Sequence, residues 1–335
     1  ACLSPIAGPF CTAVDFTTCS RWSVKRNATA RLFKPNADRV TRLLATDSPE
    51  MKMKRLVRFG AYPLTMALVI AGVWWTRQQN YPLAWLAVLA ASGMAAVALL
   101  ERLLPFDQRW QSADRDFPAD VAHAIVNLLV MHGAILGFVV MRGQLGWSGL
   151  WWPSDWPFLA QVFLAGLPLD LSLYAVHRLS HRYGLLWRLH SIHHSSRRLY
   201  WLNGERRYPL HAALMAGPGL LILGILGAPA EVVGGWFVVL AVHLAFQHAN
   251  LDYRVGALRY LVAVAEVHRW HHRERFEDAQ VNFGEFWLVW DHLFGTFHRP
   301  TPPLGPVGIA GDPVPVSYTA QLVFPFTRIE GQAVE

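Results

Sequence analysis

From residue 60 onward the chain alternates long apolar stretches with shorter polar ones. Apolar runs fall at 60–76, 81–100, 118–141, 157–176, 210–227 and 230–248. Each approaches the roughly 20 residues that carry an α-helix across a bilayer, and each holds few charges. The last two runs are separated by Gly227-Ala228-Pro229, which predicts a tight helical hairpin. The pattern predicts an all-α, polytopic membrane bundle, with the polar segments after the fourth and sixth runs forming a histidine-rich helical cap. Residues 1–50 lack hydrophobic periodicity and are rich in Ser, Thr, Arg and Pro. They are expected to be a disordered extension ahead of a membrane-embedded domain over 51–335.

Composition supports this reading. Charged residues make up 16% of the chain and hydrophobic ones 53%, whereas an ordinary soluble domain is about a quarter charged. The formal charge of +7 sits largely beside the apolar runs, which points to lipid head groups and not to nucleic acid, for which no motif is present. Lys52, Lys54, Arg55 and Arg58 precede the first run. Arg102, Arg109 and Arg115 follow the second, Arg178 to Arg207 the fourth, and Arg254, Arg259 and Arg269 the sixth. The opposite loops hold only Arg77 and Arg142, with Trp74, Trp75, Tyr81, Trp85, Trp147, Trp151, Trp152 and Trp156 as an aromatic belt. Positive charge inside then places both ends, and the cap, on the cytoplasmic side. The three cysteines, Cys2, Cys11 and Cys19, all lie in the extension, so no cysteine is available to a metal site in the membrane domain.

Eight histidines form three tight clusters: His177/His181, His190/His193/His194 and His268/His271/His272. On a helix, spacings of three and four residues share a face, so each cluster is expected to aim its imidazoles at one point. His248, at the end of the sixth run, is a ninth candidate ligand. His211 and His243 are open between ligand and structural roles. His123 and His132 lack clustering, and His292 and His298 are expected to pack or hydrogen-bond. So many imidazoles exceed one structural zinc and suit two ions; iron, copper and zinc all accept nitrogen ligands, and a redox pair of irons is the favoured reading. Ligating imidazoles need an acceptor on their other nitrogen, for which Asp170, Asp291 and Glu266 are candidates. Asn250 is a candidate to hold a metal-bound water.

These residues carry a resemblance. Tyr174-Ala-Val-His177-Arg-Leu-Ser-His181, Leu186-Trp-Arg-Leu-His190-Ser-Ile-His193-His194, His248-Ala-Asn250, His268-Arg-Trp-His271-His272 and Asn282-Phe-Gly284 leading to Trp290-Asp291 resemble the fatty acid hydroxylase / sterol desaturase superfamily over about residues 85–300. Where that family often has Arg-x-His-Pro-Leu-Glu, this chain reads Arg206-Arg-Tyr208-Pro-Leu-His211, which leaves the ligand count open. The resemblance implies a di-iron site held by the nine histidines, with Asp170, Tyr174, Asn250 and Asp291 in the catalytic set. It implies O2-dependent oxidation of an unactivated C–H bond of a lipid taken from the bilayer, giving an alcohol or, by a second hydrogen loss, a double bond. A histidine-lined metal transporter or sensor is the alternative from another class; the clusters' position at and beyond span ends disfavours it. With no GxGxxG after a strand and no P-loop, electrons must come from an external haem or iron–sulfur carrier and its reductase. The Arg178, Arg182, Arg188, Arg197 and Arg198 face would suit an acidic one.

Overall fold

The computed structural model describes residues 48–112, 115–144, 151–301, 303–311 and 314–327. The expectation for residues 1–50 therefore falls, but for its last three residues, outside the described residues. Of those three, Pro49 and Glu50 already belong to the first helix.

Among the described residues, six helices are long and apolar enough to cross a membrane: α1 (Pro49–Gln78), α2 (Ala84–Leu103), α3 (Phe117–Gln144), α4 (Phe158–Ser180), α6 (Pro209–Leu226) and α7 (Ala230–His248). The shorter α5 (Gly184–His194) follows α4. No β-strand is formed among the described residues, which hold only isolated bridges. The bundle is a multi-pass membrane architecture.

α7 is apolar all round, and a helix of that kind must be enclosed. It is the most buried of the six, packed by α1, α2, α4 and a 3-10 turn at Trp201–Glu205. α3, by contrast, turns Leu129, Leu136 and Val140 outward, as a lipid-facing helix does. Lipid offers little hydrophobic drive for helix pairing, so close approach through small residues decides the contacts. At Gly219 of α6 an added Cβ would lie 2.7 Å from the Leu169 Cα, so α4 and α6 touch backbone to backbone. Gly166 likewise sits under the Trp236 ring, 2.7 Å from where its Cβ would be.

The predicted hairpin is present. Gly227 closes α6 with φ 79°, the left-handed conformation glycine adopts without cost, and Ala228 N–H returns to the Leu223 carbonyl. Pro229 then caps α7. Trp74, Trp75, Tyr81, Trp85, Trp151 and Trp156 are exposed, as an interfacial belt requires. Trp152 is not part of it: it is buried and donates to Gln161 Oε1 at 2.8 Å. Trp147 lies outside the described residues.

After α7 the chain forms a cap of short elements, including α8 (Ala265–His268) and α9 (Val289–Leu293), and ends on α10 (Tyr318–Val323). α10 packs against α3, where His123 Nε2 meets Gln321 Oε1 at 2.7 Å.

Candidate metal centre

The hairpin brings the third cluster back onto the first two. Nine buried imidazoles then meet in two groups, each with ligand atoms within 4.8 Å of one another. The first holds His177, His181, His190, His194 and His271; the second holds His193, His248, His268 and His272. The groups abut: the His194 ring stacks on His272 at 4.6 Å between centroids.

The clusters do not each aim at one point, as their spacing suggested. His190 and His194 serve the first group while His193, between them, serves the second; His268 and His272 serve the second while His271 serves the first. The reason is helical geometry. Residues four apart differ by only about 40° around the axis, whereas neighbours differ by about 100°. On α5 the i, i+4 pair therefore stays together and the adjacent histidine diverges. The third cluster starts on four-residue α8 and continues in tight turns, with His271 N–H bonding the His268 carbonyl at 2.9 Å. It produces the same division.

The residues fit a metal ion in each group. His177, His248 and His271 donate from Nδ1 to the carbonyls of Phe283, Leu244 and Val281, at 2.8, 2.9 and 2.9 Å. A neutral imidazole with its proton on Nδ1 presents a bare lone pair on Nε2. The Nε2 atoms of the two groups face one another: His177 and His271 Nε2 lie 2.8 Å apart, His181 and His194 3.1 Å, His268 and His272 3.1 Å, His193 and His248 3.3 Å. The bare lone pairs of His177 and His271 repel unless a cation lies between them. The separations are near those of adjacent nitrogens bound about 2.1 Å from one ion. Burial also holds His181, His190, His193, His194, His268, His271 and His272 well below the usual imidazole pKa, in the neutral form a metal needs.

His211 and His243 fall outside both groups. His211 Nε2 pairs with Ser180 Oγ at 2.8 Å and its ring rests on His190; His243 Nδ1 pairs with Tyr62 Oη at 2.9 Å. Tyr208, where the family often has histidine, donates to the Leu322 carbonyl at 3.0 Å.

The carboxylates take different partners from those expected. Asp170 accepts from the backbone N–H groups of Phe286 and Trp287 and from Trp290 Nε1, at 2.8, 3.0 and 2.9 Å, and from no imidazole. Asp291 accepts from Phe283 and Gly284 N–H, both at 2.8 Å, and from Thr296 Oγ1. Burial pushes its carboxyl upward, against those bonds. Glu266 pairs with Arg254 and Arg259. Asn250 bonds Asp107 and Glu101, and Tyr174 Oη meets Thr296 Oγ1 at 2.9 Å. Asp170 and Asp291 thus act one step removed, by holding the 283–287 segment whose Phe283 carbonyl orients His177. A charged side chain buried beside unpaired backbone N–H groups is satisfied by them first, because they cannot reach water.

The carboxylate that does approach an imidazole is Glu285, with Oε1 3.3 Å from His177 Nδ1 and Oε2 2.8 Å from Arg207. The sequence signal for it is a lone charge in the apolar stretch 281–290. Arg206 is also internal: it pairs with Asp120, which accepts from Tyr200 Oη at 2.6 Å. Arg198 is buried against the Tyr200 ring, and Arg188 bonds the Phe324 and Thr327 carbonyls. Of the five arginines expected to face a carrier, Arg198 is thus internal and Arg188 half-buried, while Arg178, Arg182 and Arg197 are exposed.

An apolar cavity of about 830 Å³ lies between α2, α3, α6 and α7. Its lining is rich in small residues such as Ala90, Ala124 and Ala216 and reaches Leu244, Gly204 and Arg207 at one end. That end adjoins the second histidine group, because a Cβ on Gly204 would come within 3.3 Å of His248 Nδ1.

The sequence profile named fatty acid hydroxylase matches residues 162–296, which contain all nine histidines. An ornithine lipid hydroxylase from Rhizobium tropici is 33% identical over 276 residues, covering 80% of this chain and 83% of the relative. An alkylglycerol monooxygenase from Danio rerio is 29% identical over 153 residues, 44% of this chain and 31% of that protein. A fatty acid hydroxylase from a Lecanicillium species is 31% identical over 160 residues, 42% and 43% of the two chains. No solved structure matches. Fold, site and relatives together define a membrane-bound oxidoreductase of the hydroxylase class. The chain belongs to the fatty acid hydroxylase family.

Proposed function

We propose that this protein hydroxylates an unactivated C–H bond of a membrane lipid, using O2, two electrons and two protons to give the alcohol and water. The observation that carries this reading is a pair of abutting, buried all-histidine groups, the second of which adjoins an apolar cavity through Gly204 and His248. No acid–base side chain can remove hydrogen from an alkyl carbon, so a redox metal must supply the hard chemistry. Two iron ions, one per histidine group, would supply O2 activation when bound. The protein's part is to bind, orient and exclude water. Phe283, Leu244 and Val281 fix imidazole tautomers through their carbonyls. The alanine-rich cavity admits a flexible alkyl chain from the bilayer. Positive charge inside supports a cytoplasmic site. There a small haem or iron–sulfur carrier and its reductase would deliver electrons.

Lipid mass spectrometry of cells expressing the chain or its His268→Ala variant tests this. A lipid gaining one oxygen only with the unaltered chain is the expected result. A lipid losing two hydrogens would assign desaturation instead. Metal analysis after ferrous reconstitution should find two irons per chain; a single zinc with no iron uptake would overturn the di-iron reading.

A further inference from the structure

The polar lining of the cavity, Arg102, Asn127, Glu205 and Arg207, includes two groups that the protein itself leaves short of partners, Asn127 and Arg207. Asn127 and Arg207 both line it, and each is more than nine-tenths buried, at 7% and 9% exposure. Asn127 Nδ2 donates to the Glu205 carbonyl at 2.7 Å and the Arg207 carbonyl at 3.1 Å. Those two bonds fix the amide's orientation, because turning it would set Oδ1 against two carbonyl oxygens. Asn127 Oδ1 is then a buried acceptor with no partner. Arg207 donates from Nε to the Gly204 carbonyl at 2.8 Å and from Nη2 to Glu285 at 2.8 Å. Its Nη1 has the Met215 thioether at 3.5 Å, and a thioether is a weak acceptor. Buried groups left this way cost stability, and they occur where something else completes them.

We propose that Asn127 and Arg207 recognise the head end of the lipid, and that the linkage they take is a secondary amide. Arg207 Nη1 donates to its carbonyl oxygen and Asn127 Oδ1 accepts from its N–H. An ester satisfies the first group alone, and a bare hydrocarbon satisfies neither. Arg207 also holds Glu285 beside His177, so the occupied head end is one carboxylate away from the first histidine group. The proposal rests on the reading of the cavity as the lipid site.

The test is displacement of a bound fluorescent fatty acid from the full-length, iron-loaded protein in nanodiscs. Four competitors share one chain: N-methylhexadecanamide, methyl hexadecanoate, hexadecanol and heptadecane. The amide should bind about tenfold tighter than the ester, and the ester about tenfold tighter than the alkane, as expected for losing one buried hydrogen bond at each step. Asn127→Leu should erase the amide-over-ester preference and leave ester over alkane. Arg207→Met alone would strand the Glu285 carboxylate, so the double variant Arg207→Met/Glu285→Gln removes both charges. It should erase the ester-over-alkane preference, while Glu285→Gln alone retains it. Should a variant not fold, the competitor order on the unaltered protein still decides. Equal binding of amide and ester, or a hydroxyl preferred over the amide, overturns the proposal and leaves the hydroxylase reading standing. Failure of every competitor to displace the fatty acid overturns the lipid cavity itself.

Discussion

Asp291 grips the backbone of Phe283: its Oδ1 accepts the Phe283 N–H at 2.8 Å, and the Phe283 carbonyl in turn accepts His177 Nδ1 at 2.8 Å. A carboxylate thus sets the tautomer of a metal-group imidazole through one intervening residue. Asp291→Ala should leave two buried N–H groups unmet, at a cost of about 2–4 kcal/mol. It should weaken metal retention in the first group before the second. Metal content and thermal unfolding of the purified variant check both.

His268→Ala should lower bound metal from two ions toward one per chain and abolish lipid oxidation, while membrane insertion is kept. His268 belongs to the second group and lies in none of the spans. The matched control is His292→Ala. That side chain bonds the Tyr260 carbonyl at 2.9 Å and stacks on Phe297, away from both groups, so its metal content should be normal.

Acid should destabilise the metal-free protein. The seven cap imidazoles named above have pKa values depressed by burial, below the unfolded value of about 6.5. Below that pH the unfolded chain binds more protons than the folded one, so stability is full above it and falls as pH drops. Each such imidazole contributes a slope of up to about 1.4 kcal/mol per pH unit. Unfolding of the chelator-treated protein at pH values on either side of 6.5 measures it. Stability that rises on acidification would contradict the burial of these rings as neutral groups.

Asp120→Ala should reduce yield sharply, because it strands the buried Arg206 guanidinium; breaking such a pair costs about 3–5 kcal/mol. Asp120→Leu/Arg206→Met, which removes both charges, should recover part of the loss. Folded yield by size-exclusion chromatography compares the two.

Gly219→Leu should separate α4 from α6, since even a Cβ there meets the Leu169 backbone at 2.7 Å and the Pro168 carbonyl at 2.9 Å. The expected cost is about 1–3 kcal/mol of overpacking strain. Gly217, whose Cβ would meet nothing within 4 Å, is the control and should tolerate Ala.

The sequence displays the spans and the histidines because both are signals of residue type at fixed spacing. Runs at 210–227 and 230–248 became α6 and α7 with ends shifted by a residue or less, and Gly227 to Pro229 marked the turn between them. Spacing separates His193 from His190 and His194 on α5, but which histidines of the third cluster join which group is not legible from it. It depends on where the hairpin returns the third cluster and on the short α8. The carboxylates were harder still. Asp170 and Asp291 look like imidazole acceptors in sequence, yet backbone N–H groups of a segment more than a hundred residues from Asp170 claim the first of them. In sequence Arg206 and Arg207 fall among the charges that orient the chain, yet both are buried.

The division of the clusters also sets an order of assembly. Four of the five histidines in the first group come from the contiguous stretch His177 to His194. The second group takes His193 from that stretch and must wait for His248, His268 and His272, which arrive only when the hairpin is complete. Closing that longer loop is the slower event. An ion held by the first group would therefore find four of its ligands in place before the second set is complete. Occupancy of both groups would then report that the hairpin has closed.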